Sequence, residues 1–219
     1  MNKRVKNIAI IPARGGSVGI PDKNIVNLNG NPLIYYTLRA CFDTTEIDQV
    51  VVTTDSDRIA SIVSELFPKT IIVKRPANLA DNISTSEEAL LHCIKEIDKQ
   101  INGIENIVFV QATSPLTDST DLSRLIAALL DHDSAAFYIE DYGFFFDYHD
   151  MTSPRIPRQG REPLKRECGN AWAFNKNGFL ASKSRLFGRI DLCKIKHPRE
   201  VEIDEPEDLI SVGCLMKKL

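Results

Sequence analysis

Short apolar runs alternate with longer amphipathic segments along the first 140 residues of the chain. The apolar runs cover residues 8–12, 50–54, 71–73, 107–110 and 135–139. Between them, apolar residues recur every three or four positions, which is the pattern of a helix with one buried face. Buried strands that alternate with helices predict an α/β fold, with a mostly parallel sheet and helices on both of its faces.

Most of the predicted helices follow residues whose side chains can cap them. Helices are predicted at 32–40, 58–67, 84–99 and 122–130, with the caps Asn31, one of residues 55–57, Ser84 or Thr85, and Asp118 or Ser119. A last helix is predicted from about Pro206, with acidic residues favourably placed in its first turn. Later strands are predicted at 170–174, 192–195 and 201–203.

The loops that follow the predicted strands carry many of the polar residues of interest. Right-handed crossovers place such loops along one edge of a parallel sheet, and ligands bind at this carboxyl edge. Residues 14–24, Asp55, residues 75–86 and residues 111–113 all follow predicted strands. We therefore expect these four segments to meet in one cleft.

The regular alternation of strands and helices stops between residues 141 and 167. This segment has three adjacent aromatic residues at 144–146, three prolines, and five lysines and arginines. It is too long for a plain connection, and an exposed row of aromatic side chains would be an aggregation liability, so an ordered insertion is favoured. We expect a single domain over residues 1–219 with an inserted arm at about 141–167.

Composition narrows the class of protein further. The chain has 219 residues and a net charge of -3, which argues against a nucleic-acid-binding surface or a polybasic membrane anchor. No apolar run approaches the ~20 residues of a membrane span, and the polar start does not resemble a signal peptide. The five cysteines are scattered and odd in number. We therefore expect reduced thiols in a cytoplasmic protein that binds neither nucleic acid nor membrane.

The loop after the first strand has the composition of a phosphate site. Gly15, Gly16 and Gly19 allow the backbone to bring its N–H groups close to an anion. Arg14 and Lys23 bracket these glycines, and together they offer a planar fork and a mobile point charge to a polyphosphate. The spacing fits neither the Walker A motif nor the GxGxxG fingerprint of dinucleotide-binding proteins.

A second candidate site is acidic. If residues 201–203 form a strand, Glu202 and Asp204 point to the same side of it. Two carboxylates at that spacing can hold Mg²⁺, which also binds phosphate oxygens. The alternative is that residues 202–208 only provide the acidic start of a helix.

Four segments of the chain carry a resemblance to a known family. The first reads PARGGS at 12–17, followed by GIP at 19–21 and KN at 23–24. The others read RPA at 75–77, QATSPL at 111–116 and EID at 202–204. In this order they resemble the N-acylneuraminate cytidylyltransferases, also called CMP-sialic acid synthetases. That family usually has lysine in place of Val18 and aspartate in place of Glu202. The resemblance covers nearly the whole chain and implies a Rossmann-like nucleotidyltransferase sheet.

The resemblance also implies an activity and a set of site residues. It implies transfer of CMP from CTP to the anomeric hydroxyl of a sialic-acid-like 2-keto sugar acid, with Mg²⁺ as cofactor, by a homodimer whose arm packs on the second subunit. The catalytic residues would be Arg14, Lys23 and Asp204. The nucleotide would bind Ala13, Arg14, Gly15, Gly16, Ser17, Lys23, Asn24, Arg75, Ser84 and Ser86. The sugar acid would bind Gln111, Thr113, Arg158 and Asn170, and the metal Asp204 and Glu202.

Several alternatives stay open at this point. Residues 167–172 also resemble the pseudaminic acid branch, which leaves the acceptor open among sialic, pseudaminic, legionaminic, deaminated and eight-carbon sugar acids. Lys165 and Arg166 compete with Arg158 for the carboxylate of the sugar. Ser84 can cap a helix as well as bind a base. A pyrophosphorylase for a sugar phosphate and a non-catalytic nucleotide-binding protein are the other functions considered.

Overall fold

The computed structural model describes residues 5–17, 19–81, 83–145 and 152–218. Its strands are β1 Asn7–Pro12, β2 Asn27–Leu28, β3 Asn31–Pro32, β4 Gln49–Thr54, β5 Ile71–Lys74, β6 Asn106–Val110, β7 Ser134–Asp141, β8 Leu164–Asn175 and β9 Ile190–Lys194. Its helices are α1 Leu33–Asp43, α2 Asp57–Leu66, α3 Ser86–Ile97, α4 Ser119–Ala128, α5 Lys176–Ser182 and α6 Pro206–Met216. Within these residues, no helix combines the length and apolar composition needed to cross a bilayer.

Seven strands form one mixed sheet in the order β5-β4-β1-β6-β8-β7-β9. Neighbouring strands run parallel except at β8, which is antiparallel to both β6 and β7. The prediction of a mostly parallel α/β sheet is confirmed. The central position of β1 puts the loop that follows it at the middle of the carboxyl edge.

Helices cover both faces of this sheet, as predicted. In β1, Ala9 and Ile11 belong to a core cluster shared with α1, α2 and α4, whereas Ile8 and Ile10 belong to a cluster shared with α3 and α5. Successive side chains of a strand point to opposite faces, so a fully apolar strand must be covered twice. All four of these side chains are fully buried.

The predicted helix starts need small corrections. Asn31 does not cap α1, because Asn31 and Pro32 pair with β2 in a short hairpin, so the helix begins at Leu33. Ser56 caps α2 by accepting a hydrogen bond from a backbone N–H. Of the two predicted caps of α3, Thr85 is the one observed, and it forms a capping box with Glu88. Asp118, rather than Ser119, caps α4.

The last third of the chain differs from the sequence-based predictions in three places. Residues 201–203 form no strand, because the only backbone hydrogen bond described between this segment and a neighbouring segment runs from the N–H of Ile203 to the carbonyl of Thr113. Helix α5 was not predicted; it is seven residues long and is capped by Asn175. Strand β8 is also longer than predicted and reaches back to Leu164, inside the expected arm.

The described part of the arm extends from the β7–β8 ladder, which ends at the pair Asp141 and Leu164. The Phe144 ring packs between two guanidinium groups, with Arg155 at 4.2 Å and Arg161 at 4.1 Å from its centroid. Phe146, the third aromatic residue of the predicted row, lies outside the described residues. A single domain with a dimerisation arm stays a prediction.

Candidate active site

A cleft of about 570 Å³ lies at the carboxyl edge of the sheet. Its walls come from the loops that follow β1, β5 and β6 and from the segment before α6. The sequence-predicted residues that line it are Arg14, Ser17, Lys23, Asn24, Arg75, Ser84, Ser86, Gln111, Thr113, Glu202 and Asp204. The topology therefore brings together residues that are far apart in sequence.

The loop after β1, residues 14–24, is called the glycine loop. Hydrogen bonds fix it on the side that faces the protein. The N–H of Gly15 donates to Oδ1 of Asp55 at 2.9 Å, and Nδ2 of Asn24 donates to the carbonyl of Arg14 at 2.9 Å. Ala13 is fully buried, and its N–H donates to the carbonyl of Thr53. Ala13 and Gly15 thus shape the loop but do not line the cleft.

Gly16 and Gly19 contribute in different ways. Among the residues that the structure describes, none would lie within 4 Å of a Cβ on Gly16, so nothing described there restricts a side chain. A Cβ on Gly19 would lie 2.7 Å from the backbone oxygen of Asp204, closer than real Cβ contacts. Only glycine therefore allows the loop to pack against the acidic segment. Val18 lies outside the described residues, so nothing follows about its effect on the loop.

The cleft contains cations in different environments. Lys23 is mostly buried, and its Nζ lies 2.9 Å from Oδ1 of Asp204. Arg75 is 6% exposed and donates from Nη2 to the carbonyl of Thr53 at 3.0 Å. Burial lowers the pKa of Arg75, and the nearby charge of Asp55 opposes this effect. Arg14 donates to the carbonyl of Asp81 at 2.8 Å, beside the opening.

The two acidic residues also differ. Glu202 is largely enclosed, and burial is the main reason why its pKa is raised, followed by the charge of Asp204. A backbone hydrogen bond from Gly169 and the charge of Lys23 oppose the shift. The Asp204 side chain is 68% exposed. One carboxylate is thus held in place, while the other faces the opening.

Polar side chains near the start of α3 and after the end of β6 complete the cleft. Ser84 donates its hydroxyl to Oδ1 of Asp81 at 2.7 Å, so it stabilises the loop before α3. Ser86 is the first residue of α3 and lines the cleft next to this loop. Gln111 and Thr113 follow β6 and also line the cleft. Their amide and hydroxyl groups can donate and accept hydrogen bonds with a hydroxylated ligand.

Two of the predicted sugar-binding residues lie elsewhere. Arg158 lines a separate cavity of about 710 Å³ beside Tyr142, with its guanidinium 5.3 Å from the tyrosine ring centroid. Asn170 is 1% exposed and donates hydrogen bonds inside the protein. Of the alternatives to Arg158, Arg166 pairs with Asp141, and Lys165 stacks on Tyr138.

Asp81 and Asp55 have contacts at the site that the sequence pattern did not predict. Asp81 lines the cleft, and its carboxylate accepts backbone hydrogen bonds from Ile83 and Ser84. An aspartate two and three residues before these N–H groups is a turn signal that could have identified it. Asp55 was expected in the cleft but does not line it; its carboxylate instead accepts the hydrogen bond from the Gly15 N–H.

A sequence profile of the cytidylyltransferase family matches residues 8–167. The chain belongs to this family. Among curated cytidylyltransferases, it is 35% identical over 247 residues to the N-acylneuraminate cytidylyltransferase of Escherichia coli O18:K1:H7, which covers 98% of the chain and 53% of that protein. It is 26% identical over 224 residues to the N-acylneuraminate cytidylyltransferase of Streptococcus agalactiae serotype V, covering 95% of the chain and 52% of the relative.

Other cytidylyltransferases match less of the chain or share only its fold. The pseudaminic acid cytidylyltransferase of Campylobacter jejuni is 31% identical over 130 residues, covering 59% of the chain and 56% of that protein. The chain thus spans about half the length of the curated relatives it matches. A solved CMP:2-keto-3-deoxy-manno-octonic acid synthetase, complexed with CTP, superposes with a TM-score of 0.71 at 18% identity and covers 97% of this chain and 99% of that one. For the 4-diphosphocytidyl-2C-methyl-D-erythritol synthase of Anaerococcus prevotii, the TM-score is 0.68 at 16% identity, with 97% and 98% covered.

Proposed function

We propose that this chain transfers CMP from CTP to the anomeric hydroxyl of a sialic-acid-like 2-keto sugar acid and releases pyrophosphate. The observation that carries the proposal is the single cleft in which Arg14 and Lys23 of the glycine loop face Glu202 and Asp204. The names of the relatives, which are cytidylyltransferases acting on nonulosonic acids, support the same reaction.

The cationic loop suits the triphosphate of the nucleotide. Arg14 and Lys23 offer a fork and a point charge to phosphate oxygens, and Ser17 and Asn24 line the same cleft. The segment around Arg75 and the loop at 84–86 lie where the nucleoside would follow, at the ends of β5 and α3. The CTP complex of a structural neighbour supports CTP as the nucleotide.

In the reaction, the anomeric oxygen attacks the α-phosphorus of CTP, and the bond between the α-phosphorus and the bridging oxygen breaks. The proton of the hydroxyl is released, and pyrophosphate leaves with the bonding electrons. Negative charge builds up on the α,β bridge, where Arg14 and Lys23 stabilise it. Most of the catalysis then comes from positioning and from these fixed charges.

The acidic pair fits a magnesium ion as cofactor. Among the described residues, no cluster of three or more His, Cys, Asp or Glu side chains has metal-binding geometry. Mg²⁺ needs only one or two protein carboxylates when substrate phosphates and waters supply the remaining ligands, so Glu202 and Asp204 suffice. When bound, the ion would neutralise phosphate charge and polarise the α-phosphate. Burial and the nearby charge of Asp204 both raise the pKa of Glu202, and a bound cation would favour its charged form.

Gln111 and Thr113 are the proposed contacts of the sugar acid, since both line the cleft and both can donate and accept hydrogen bonds with sugar hydroxyls. The pseudaminic acid cytidylyltransferase among the relatives favours pseudaminic acid as a second acceptor. Arg158 lies outside the cleft of its own chain. If it binds the sugar, it does so from the arm of a second subunit.

A homodimer joined by the arm at 141–167 therefore belongs to the proposal. The described arm exposes Ile156 by 53% and presents Arg158 away from its own cleft, and both features suit a contact with a second copy. The five cysteines are unpaired, which suits the reducing cytoplasm in which CTP is available.

The test is pyrophosphate release with each of CTP, UTP, ATP and GTP against a panel of acceptors. The panel contains sialic, pseudaminic, legionaminic and eight-carbon sugar acids, together with sugar 1-phosphates. We expect release with CTP and at least one sugar acid. Turnover of sugar phosphates would instead indicate a pyrophosphorylase. CTP binding without turnover of any acceptor would indicate a nucleotide-binding protein.

A further inference from the structure

The two acidic residues of the cleft lie on a segment that forms neither helix nor strand. This segment runs from residue 195 to residue 205, between β9 and α6. It has no ladder of backbone hydrogen bonds to fix it, so carboxylates that must meet a metal there need support from other parts of the fold. The pair of Lys23 with Asp204 and the backbone hydrogen bond from Gly169 to Glu202 hold the carboxylates directly, and three further contacts hold the segment that carries them.

The first contact is made by the side chain of Arg199. Its Nη1 lies 2.5 Å from Oδ2 of Asp118 and 2.6 Å from Oδ2 of Asp121. Asp118 is the residue that caps α4, and the Asp121 side chain is only 6% exposed. Asp121 also lies 3.9 Å from Nη1 of Arg124, but removing Arg199 would take away the closer partner of this buried carboxylate, which is unfavourable. Arg199 is therefore held firmly at the start of α4.

The second contact is made by the amide of Asn170. Its Nδ2 donates to the carbonyl of Arg199 at 2.5 Å and to Oγ1 of Thr117 at 3.2 Å. The carbonyl of Asn170 accepts a hydrogen bond from the N–H of Gln111 at 2.8 Å. Asn170 thus connects Arg199 to the turn that carries the proposed sugar contacts.

The third contact is made by Ile203, the residue between the two acidic residues in sequence. The N–H of Ile203 donates to the carbonyl of Thr113 at 2.9 Å, and the Ile203 side chain is fully buried in an apolar cluster with Ile20. Glu202 and Asp204 stand on either side of this fixed residue. The segment is thus anchored at Ile203 and, four residues earlier, at Arg199.

We propose that Arg199 is a positioning residue for metal-assisted nucleotide binding. Through Asp118, Asp121 and Asn170, it holds residues 199–204 so that Glu202 and Asp204 face the cleft together. This inference rests on the proposed function, because it assumes that the cleft binds CTP with a divalent cation. Arg199 itself does not line the cleft, so it acts through the segment that it anchors.

The test compares CTP binding with and without Mn²⁺, measured by calorimetry on the full chain without acceptor. In the unaltered chain, Mn²⁺ should tighten CTP binding. In Arg199→Met, which keeps an apolar stem but loses the ion pair, this metal-dependent gain should fall ~10–100-fold. Metal-free CTP affinity should stay within about twofold, since Arg14 and Lys23 are untouched. Arg199→Lys should recover part of the gain, because it keeps the charge but not the planar fork.

Arg39→Met is the matched control, because it removes an arginine from an exposed pair with Asp43 on α1. It should leave both affinities unchanged. If Arg199→Met does not fold, Asp118→Asn keeps a good capping residue while it weakens the ion pair, and it should reduce the metal-dependent gain in the same direction. Two results would overturn the proposal. In one, the folded Arg199→Met variant shows the same Mn²⁺-dependent gain in CTP affinity as the unaltered chain. In the other, it loses CTP affinity equally with and without Mn²⁺. If the unaltered chain binds CTP with Mn²⁺ yet releases no pyrophosphate with any acceptor of the panel, that result would refute the proposed function. The binding data would still decide the role of Arg199.

Discussion

Lys23 Nζ lies 2.9 Å from Asp204 Oδ1, although 181 residues separate the two in sequence. The contact joins the glycine loop after the central strand to the acidic segment before the last helix. The proposed phosphate contact and the proposed metal ligand therefore belong to one site. The predictions below test this arrangement.

Lys23→Ala should lower kcat by about 10²–10³-fold, because it removes a charge that stabilises the leaving phosphates mainly in the transition state. The thermal midpoint should change little, since the pair with Asp204 is partly exposed. Steady-state kinetics and a melting curve measure the two effects. Lys99→Ala removes the same charge from an exposed pair with Glu96 and should change neither. Near-normal turnover of Lys23→Ala would show that this loop does not act on phosphate.

Asp204→Asn should nearly abolish turnover at every Mg²⁺ concentration, because the amide keeps the shape but loses the charge that faces the opening. Glu202→Gln should lose ~10–100-fold and be partly rescued by raised Mg²⁺, as expected for a residue that supports the ion from a more enclosed position. Mg²⁺ titrations of the rate separate the two. If Glu202→Gln loses more activity than Asp204→Asn, the roles of the two residues are exchanged. If both variants are fully active, residues 202–208 only provide the acidic start of α6.

Gly19→Ala should displace the acidic segment, because the new Cβ would lie 2.7 Å from the Asp204 backbone oxygen, which cannot move cheaply. We expect a raised requirement for Mg²⁺ and a loss of kcat/KM of at least tenfold. The control is Gly213→Ala in α6, where a Cβ would make ordinary contacts at 3.4 Å or more. Equal Mg²⁺ dependence in the two variants would show that the close approach at Gly19 has no role in the site.

The sheet could be predicted from the sequence because its strands are continuous apolar runs that must be covered on both faces. The cleft followed from the same pattern, since residues after parallel strands share one edge. Other features depend on tertiary contacts that no periodicity reveals. Residues 201–203 alternate like a strand, but the one backbone-to-backbone hydrogen bond described from them to a distant segment is that of Ile203 with Thr113. Helix α5 is too short to leave a clear pattern. Asn170 matches a family segment, yet burial directs its amide to Arg199 instead of the cleft.

The chain should form a dimer at micromolar concentration, measured by analytical ultracentrifugation. Ile156→Glu places a charge on the exposed apolar residue of the arm and should shift the equilibrium toward monomer. Leu130→Glu alters a residue that is 82% exposed at the end of α4 and should not. A monomeric unaltered chain whose arm is readily cleaved by protease would contradict the proposed arm contact.

The most direct test of the proposed activity is the identity of the products formed from CTP, Mg²⁺ and a 2-keto sugar acid. Phosphorus NMR with mass spectrometry of the same mixture distinguishes a sugar phosphodiester from free CMP. We predict a CMP-sugar ester and pyrophosphate in equal amounts, with no ester formed by Asp204→Asn. Equal turnover of UTP or ATP, or release of CMP without any ester to the sugar acid, would contradict the proposed transfer.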